Sequence, residues 1–127
     1  MLRNPTAPET AGPFAIGAVP VPNAVFDDLL PTLRDTELRV LLVVIRQTAG
    51  WRDAQGRSKA RDWLSHGQLT RRTGRRSAAV SGAVDGLVTR GLIVVEDSAG
   101  RALVTREERR RHLGRLYFRA VYVTASG

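Results

Sequence analysis

Residues 65–91 read SHGQLTRRTGRRSAAVSGAVDGLVTRG, and this stretch decides the predicted fold. Ser65 and Gln68 have the spacing of a capping box, in which two side chains satisfy free backbone donors at the start of a helix. Gly74 can adopt the left-handed conformation that ends such a helix. A second helix follows until Gly91, because apolar residues recur at helical spacing, at Val80, Ala83, Val84, Leu87 and Val88. The stretch therefore predicts a helix-turn-helix, although simple helical hairpins share this spacing.

The most apolar segment of the chain, residues 36–49, lies upstream of the helix-turn-helix. Its run of Val, Leu and Ile is compatible with a buried strand, because periodicity alone does not separate a buried strand from a buried helix. A helix is favoured by the length of the segment, by a capping residue at Asp35 or Thr36, and by Gly50 as a stop. We therefore predict the first core helix here.

Downstream of residue 91, short apolar runs alternate with turn residues, which predicts a β-hairpin. Its strands are expected at 92–95 and 102–104, joined by the turn 97–100. A short capped helix is predicted from residue 105 to 111, and a strand rich in aromatic and β-branched residues at 116–123. The expected fold is α+β and mainly α: a winged helix-turn-helix with a three-helix core and a β-hairpin wing.

Proline marks the predicted domain boundary, since five of the six prolines lie within the first 22 residues. We predict a flexible Pro-rich arm over 1–18, a single domain over 19–124, and a tail at 125–127. A short helix is expected at 24–30, where Pro31 ends it.

Composition excludes several classes of protein. The chain has 127 residues, 43% of them apolar, and no Cys, so disulfide frameworks, zinc ribbons and iron–sulfur sites are excluded. The longest apolar run, 40–45, is far shorter than the roughly 20 residues that a membrane span needs, and we expect a cytoplasmic protein without membrane attachment. His66 and His112 are isolated, and no phosphate loop or nucleophile elbow occurs. We therefore expect a non-enzyme with no cofactor and no metal.

The positive charge is concentrated in the second half of the chain. Residues 1–63 carry a net charge of +1 and residues 64–127 carry +7. All but one of the 20 cations are Arg, whose planar fork suits bidentate contact with phosphate or guanine. The expected partner is therefore a polyanion, most simply nucleic acid.

Three stretches resemble one known family: VPNAVFDDLLPTLRDTELRVLLVVIRQTAGW (21–51), DWLSHGQLTRRTG (62–74) and VSGAVDGLVTRGLIVV (80–95). They are similar to the N-terminal winged-helix domain of bacteriophage replication protein O and of related phage and plasmid replication initiators, over about residues 19–95. The resemblance implies recognition of replication-origin duplex, with 77–90 as the recognition helix and 97–100 in the wing. It also implies a replisome protein as a possible partner, because such proteins usually recruit a helicase.

The candidate site lies around the helix-turn-helix. Four arginines cluster at the turn and helix start, where phosphate contacts are usually made, and a fifth, Arg101, lies near the expected wing tip. The predicted DNA-contacting residues are Arg71, Arg72, Arg75, Arg76, Ser77, Ala78, Ser81, Gly82 and Arg101.

The predicted outward face of the second helix has none of the long polar side chains that pair with base edges. Its members are Ala78, Ser81, Gly82, Asp85, Gly86 and Thr89. Such a bare face allows close approach to a DNA groove or to a protein helix. The alternatives are therefore a winged-helix transcriptional regulator and a protein-interaction adaptor, with a homodimer possible in each case.

A second basic cluster lies on the short helix and just after it. We regard a solvated helix paired with Glu107 and Glu108, and a DNA-facing helix, as equally compatible with its sequence. Its members are Arg106, Arg109, Arg110, Arg111 and Arg115.

Overall fold

The computed structural model describes residues 17–48 and 59–121. Nearly all of the predicted arm, residues 49–58 and the tail 125–127 lie outside the described residues. The helices are a π-helical segment Val25–Leu29, α1 Asp35–Gln47, α2 His66–Thr73, α3 Ser77–Thr89 and α4 Arg106–Arg111; the strands are β1 Asp62–Trp63, β2 Ile93–Glu96 and β3 Tyr117–Ala120.

The three strands form a small antiparallel sheet in the order β1-β3-β2. Phe118 of the central strand β3 lies opposite Asp62 on one side and Val95 on the other. Together with the helices, the sheet gives an α+β fold that is about half helical, which confirms the predicted mainly α class at this level.

The predicted hairpin of 92–95 and 102–104 forms only next to its turn. Residues 102–104 form no ladder with β2; Ala102 makes only an isolated bridge with Glu96, and the Leu103 amide donates to the Val95 carbonyl at 2.8 Å. The strand that pairs along β2 is β3, about 20 residues further along the chain. The carbonyls of Leu103 and Val104 accept hydrogen bonds from Arg109 of α4 instead of from a neighbouring strand.

Helix α1 forms where a helix was preferred over a buried strand. Val40, Leu41, Val44 and Ile45 are buried on one side of it. The predicted cap is wrong by one residue, because Asp35 is already helical and Arg34 is the N-cap.

The local signals of the helix-turn-helix are confirmed. The Ser65 hydroxyl accepts from the Gln68 amide at 3.0 Å, and the Gln68 side chain accepts from the Ser65 amide at 2.8 Å. Gly74 has φ 70° and ends α2 in the left-handed region, as predicted. Four residues of the predicted apolar stripe of α3 are buried: Val80, Ala83, Val84 and Leu87.

The core lies between α1, α2, α3 and the inner face of the sheet. Its largest fully buried side chains include Phe118 of β3, Ile45 of α1, Leu69 of α2 and Leu87 of α3. In residues 17–48 and 59–121 no helix combines the length and the apolar character that crossing a membrane requires.

Candidate nucleic-acid interface

The turn between α2 and α3 is held from both sides. The Thr73 hydroxyl donates to the Leu69 carbonyl at 2.6 Å, and the Thr73 carbonyl accepts from Nη1 of Arg39 on α1 at 2.8 Å. The first bond closes the end of α2, and the second attaches the turn to α1. The α2–α3 pair therefore presents its arginines from a fixed position.

Arg75, one of the four predicted phosphate-contacting arginines, has an acidic partner in the fold. Its guanidinium donates to Asp35 at the start of α1, and Arg39 also donates to that carboxylate at 3.1 Å. The hydrogen bond from Arg75 holds the pKa of Asp35 below its ordinary value, with the charge of Arg39 acting in the same direction. The sequence does not indicate this pair, because Asp35 lies 40 residues earlier in the chain than Arg75.

The other three turn arginines remain exposed. Arg71 and Arg76 make no side-chain hydrogen bond or ion pair with any described residue. Arg72 donates to Oε1 of Gln47 at 2.8 Å. Burial and the neighbouring charges of Arg46 and Arg71 lower the pKa of Arg72, which marks a concentration of like charge. We call Arg46, Arg71, Arg72 and Arg76 the turn cluster.

Gly86 does not lie on the open face of α3, contrary to the prediction. It packs against Glu37 of α1, where an added Cβ would overlap the carboxylate. Arg90, one turn later, lies 3.5 Å from the same carboxylate through its Nη2. Helical projection places residue 86 on the outward flank, but only the position of α1 shows that this flank is covered.

The opposite flank of α3 is covered by α4. Arg109 is buried, and its guanidinium donates to the carbonyls of Leu103 and Val104 and to Oδ1 of Asp85 at 2.7 Å. Nη2 of Arg106 lies 4.0 Å from Oδ2 of Asp85. Asp85 is therefore an anchor for α4 rather than a free residue on an open face.

A groove of about 300 Å³ lies between α2, α3 and α4. Leu64, Val84 and Phe118 contribute to its apolar floor, and Ser77 and Ser81 lie along its α3 side. Nε2 of His66 is 2.8 Å from Oγ of Ser77, which links the starts of α2 and α3. The two serines that were predicted to contact DNA thus border this groove, whereas Ala78 is exposed on α3.

The second basic cluster divides into distinct environments. Arg111 pairs with Glu107 on its own helix at 2.9 Å, as expected for a solvated helix, while Glu108 instead caps α4 by accepting from the Thr105 amide at 3.0 Å. Arg115 stacks over the ring of Trp63, 4.2 Å from its centroid. Arg109 fits neither predicted environment, because it is buried.

Arg101 remains exposed beside the 97–100 turn. Asp97 builds that turn by accepting from the amides of Ala99 and Arg101, and Gly100 has φ 90°. The guanidinium of Arg61 also stabilises the turn, because it donates to the carbonyls of Asp97 and Ser98. The Arg101 guanidinium lies 3.5 Å from the Asp97 carboxylate and is available to solvent.

In the part of the chain that the structure describes, no group of three His, Asp or Glu side chains could hold a metal ion. Comparison with protein-family models, with curated proteins and with solved structures found no match to this chain. The resemblance to phage and plasmid replication initiators therefore stays a prediction, which rests on the quoted residues alone.

Proposed function

We propose that this chain is a double-stranded DNA-binding domain of the winged-helix type. In this proposal, α2 and α3 form the helix-turn-helix, and the segment between β2 and β3 forms the wing. The turn cluster contacts phosphates, and α3 lies in or near the major groove. The order of the elements supports this description. A helix (α1), a strand (β1), two helices (α2 and α3) and two further strands (β2 and β3) follow one another, and the three strands form one small sheet.

The observation that carries the proposal is the state of the turn cluster. Four arginines from two helices and the start of a third are exposed around the turn, and three of them (Arg46, Arg71 and Arg76) have no hydrogen-bond or ion-pair partner among the described residues. Holding like charges together without an acid is unfavourable unless a polyanion neutralises them. Phosphate neutralisation releases counterions and provides the affinity of such an interface.

The proposed biological role is replication initiation, with origin-like DNA as the target. Its support is the resemblance of residues 19–95 to phage and plasmid initiators. A transcriptional regulator would use the same interface on an operator. An adaptor would instead use the small-residue part of α3 against a protein, in a partner or in a second copy of the chain.

The test measures affinity for duplex fragments that tile the DNA around the gene of this protein, against an unrelated duplex, across a salt series. Initiators of the resembling family often bind repeats beside or within their own genes. We expect one fragment to be preferred by roughly a thousandfold at physiological salt. If the preferred fragment contains repeats, it supports a role in replication initiation; if it contains a promoter, it supports a role in transcriptional regulation.

The double variant Arg71→Ala/Arg76→Ala tests the site. Each lost phosphate contact should reduce the slope of log affinity against log salt by about 0.9. Arg111→Ala is the matched control, because Arg111 is also exposed but pairs with Glu107 on α4. Absence of duplex binding, or an unchanged slope in the double variant, would overturn the proposal. A stable complex with a protein, formed without DNA, would favour the adaptor.

A further inference from the structure

The exposed surface of α3 contains no side chain that donates bidentately to a base edge. Ala78 and Thr89 are exposed there, whereas Gly82 and Asp85, which lie between them, are partly covered by α4, and Asp85 is an acceptor. Direct readout in the major groove most often uses Arg on guanine or Asn and Gln on adenine. If α3 entered the groove alone, it would offer little sequence discrimination.

Arg106 of α4 supplies a donor at this position. Its Nη2 lies 3.5 Å from the point where a Cβ on Gly82 would be, so the guanidinium lies against the face of α3 where that helix has no side chain. Asp85, which shares the face with Gly82 at a spacing of three residues, is 4.0 Å from the same nitrogen. The Arg106 side chain is 50% exposed, so its remaining donors are open to a ligand.

The helix that carries Arg106 is fixed in place. Arg109, only 7% exposed, fastens α4 to Asp85 and to the carbonyls of Leu103 and Val104. The Thr105 hydroxyl caps α4 by accepting from the Glu108 amide at 3.1 Å. A side chain on such a support loses less freedom on binding than one on a mobile loop.

We propose that Arg106 is the specificity-determining residue of the DNA interface, donating to O6 and N7 of a guanine across the bare face of α3. The guanidinium lies beside Gly82, where a side chain larger than Ala would displace it, and Asp85 orients it. The α4 segment thus provides the base contact that a recognition helix usually provides itself. This inference rests on the proposed function, because it requires α3 to lie in the major groove.

The test begins with selection of preferred sites from a randomised duplex pool by the wild-type chain. Affinities are then measured for the selected site and for each single base-pair change, at one salt concentration. The variants are Arg106→Ala, Arg106→Lys and Gly82→Leu, with Arg111→Ala as the matched control on the same helix. Gly82→Leu keeps every charge but occupies the space where the guanidinium lies.

We expect the wild type to prefer guanine at one position by about 10- to 100-fold. Arg106→Ala and Gly82→Leu should abolish that preference while other positions keep theirs, and Arg106→Lys should restore it only in part, because an ammonium has no planar fork. Arg111→Ala should leave every preference unchanged. Thermal unfolding of each variant confirms that it is folded.

The outcomes separate the two proposals. A wild type that binds duplex without base preference, or an Arg106→Ala variant that keeps the guanine preference, overturns the role of Arg106 and leaves DNA binding in place. A uniform loss of affinity in Arg106→Ala, equal for all sequences, identifies a phosphate contact and also overturns it. A wild type that binds no duplex overturns the proposed function itself.

Discussion

The carboxylate of Glu37 on α1 fills the space where Gly86 on α3 has no side chain. Oε1 of Glu37 accepts from the Arg34 amide at 2.9 Å, and Glu37 is almost fully buried. The same carboxylate therefore caps α1 and packs α1 against α3. This close approach of two helices depends on glycine at position 86.

Gly86→Ala should lower the free energy of unfolding. The added methyl would displace the Glu37 carboxylate from its hydrogen bond with the Arg34 amide. The loss of this bond outweighs the better helix propensity of Ala, so we expect a net loss of stability of about 1–2 kcal/mol. Gly82→Ala is the matched control, since its Cβ would meet Arg106 only at ordinary contact distance. Chemical denaturation measures both variants, and equal stability of the two would contradict this explanation.

Arg109→Met should destabilise the fold and release α4. The change removes donors from two carbonyls and leaves Asp85 with the more distant Arg106. Because Asp85 is partly exposed, we expect a loss of about 2 kcal/mol, less than for a fully buried pair. Arg111→Met should change stability by no more than about 0.5 kcal/mol, since its ion pair is exposed. Amide hydrogen exchange in residues 103–111 should rise only in the first variant.

Asp35→Asn should strengthen DNA binding if the turn cluster contacts phosphates. Removing the carboxylate frees Arg75 for a further phosphate contact, so the salt slope should become steeper by up to about 0.9. Affinity for an unrelated duplex at low salt measures the effect. Asp28→Asn, which removes a charge on the π-helical segment, controls for net charge alone. The same gain in both variants would show that Arg75 is not specifically released.

The 97–100 turn should loosen in acid. The hydrogen bond from the Arg101 amide holds the pKa of Asp97 below its ordinary value, with the Ala99 amide acting in the same direction against a smaller effect of burial. The charged carboxylate therefore stabilises the turn above about pH 4, and this contribution is lost as pH falls through the lowered pKa.

Carboxyl and amide chemical shifts of residues 97–101, followed by NMR from pH 6 to pH 2, measure this titration. In the variant Asp97→Asn the side-chain oxygen still accepts hydrogen bonds from the two amides, but the side chain does not titrate. The amide chemical shifts of Ala99 and Arg101 should therefore stay constant over this pH range. A titration of Asp97 at or above its ordinary pKa in the wild type would contradict the expectation.

The features predicted correctly depend on residues close together in the chain. The capping box of Ser65 and Gln68, the left-handed Gly74 and the buried stripe of α3 all follow from spacings of at most eight residues. Such signals reflect backbone hydrogen bonding and helical geometry, which hold in almost any tertiary context. The N-cap of α1 was misplaced because the deciding bond is donated by the Arg34 amide to the Glu37 carboxylate, and Arg34 is not among the expected capping residues.

The features that were missed depend on contacts between distant segments. The pairing of β2 with β3, the Arg75–Asp35 pair and the Arg109–Asp85 pair join residues about 21 to 40 positions apart. At such separations one sequence is compatible with many strand pairings and many ion pairs. Which of them form is decided by how the helices and strands pack together.

The sequence by itself therefore determined where the helices around the turn begin and end, and where positive charge is concentrated. Tertiary structure alone decided which arginines stay exposed, since Arg71 and Arg76 keep no described partner whereas Arg75 and Arg109 meet acids on other helices. It also placed Arg106 over Gly82. The physical reason is that helix formation is governed by local hydrogen bonds, whereas the environment of a long charged side chain is set by whichever segment packs beside it.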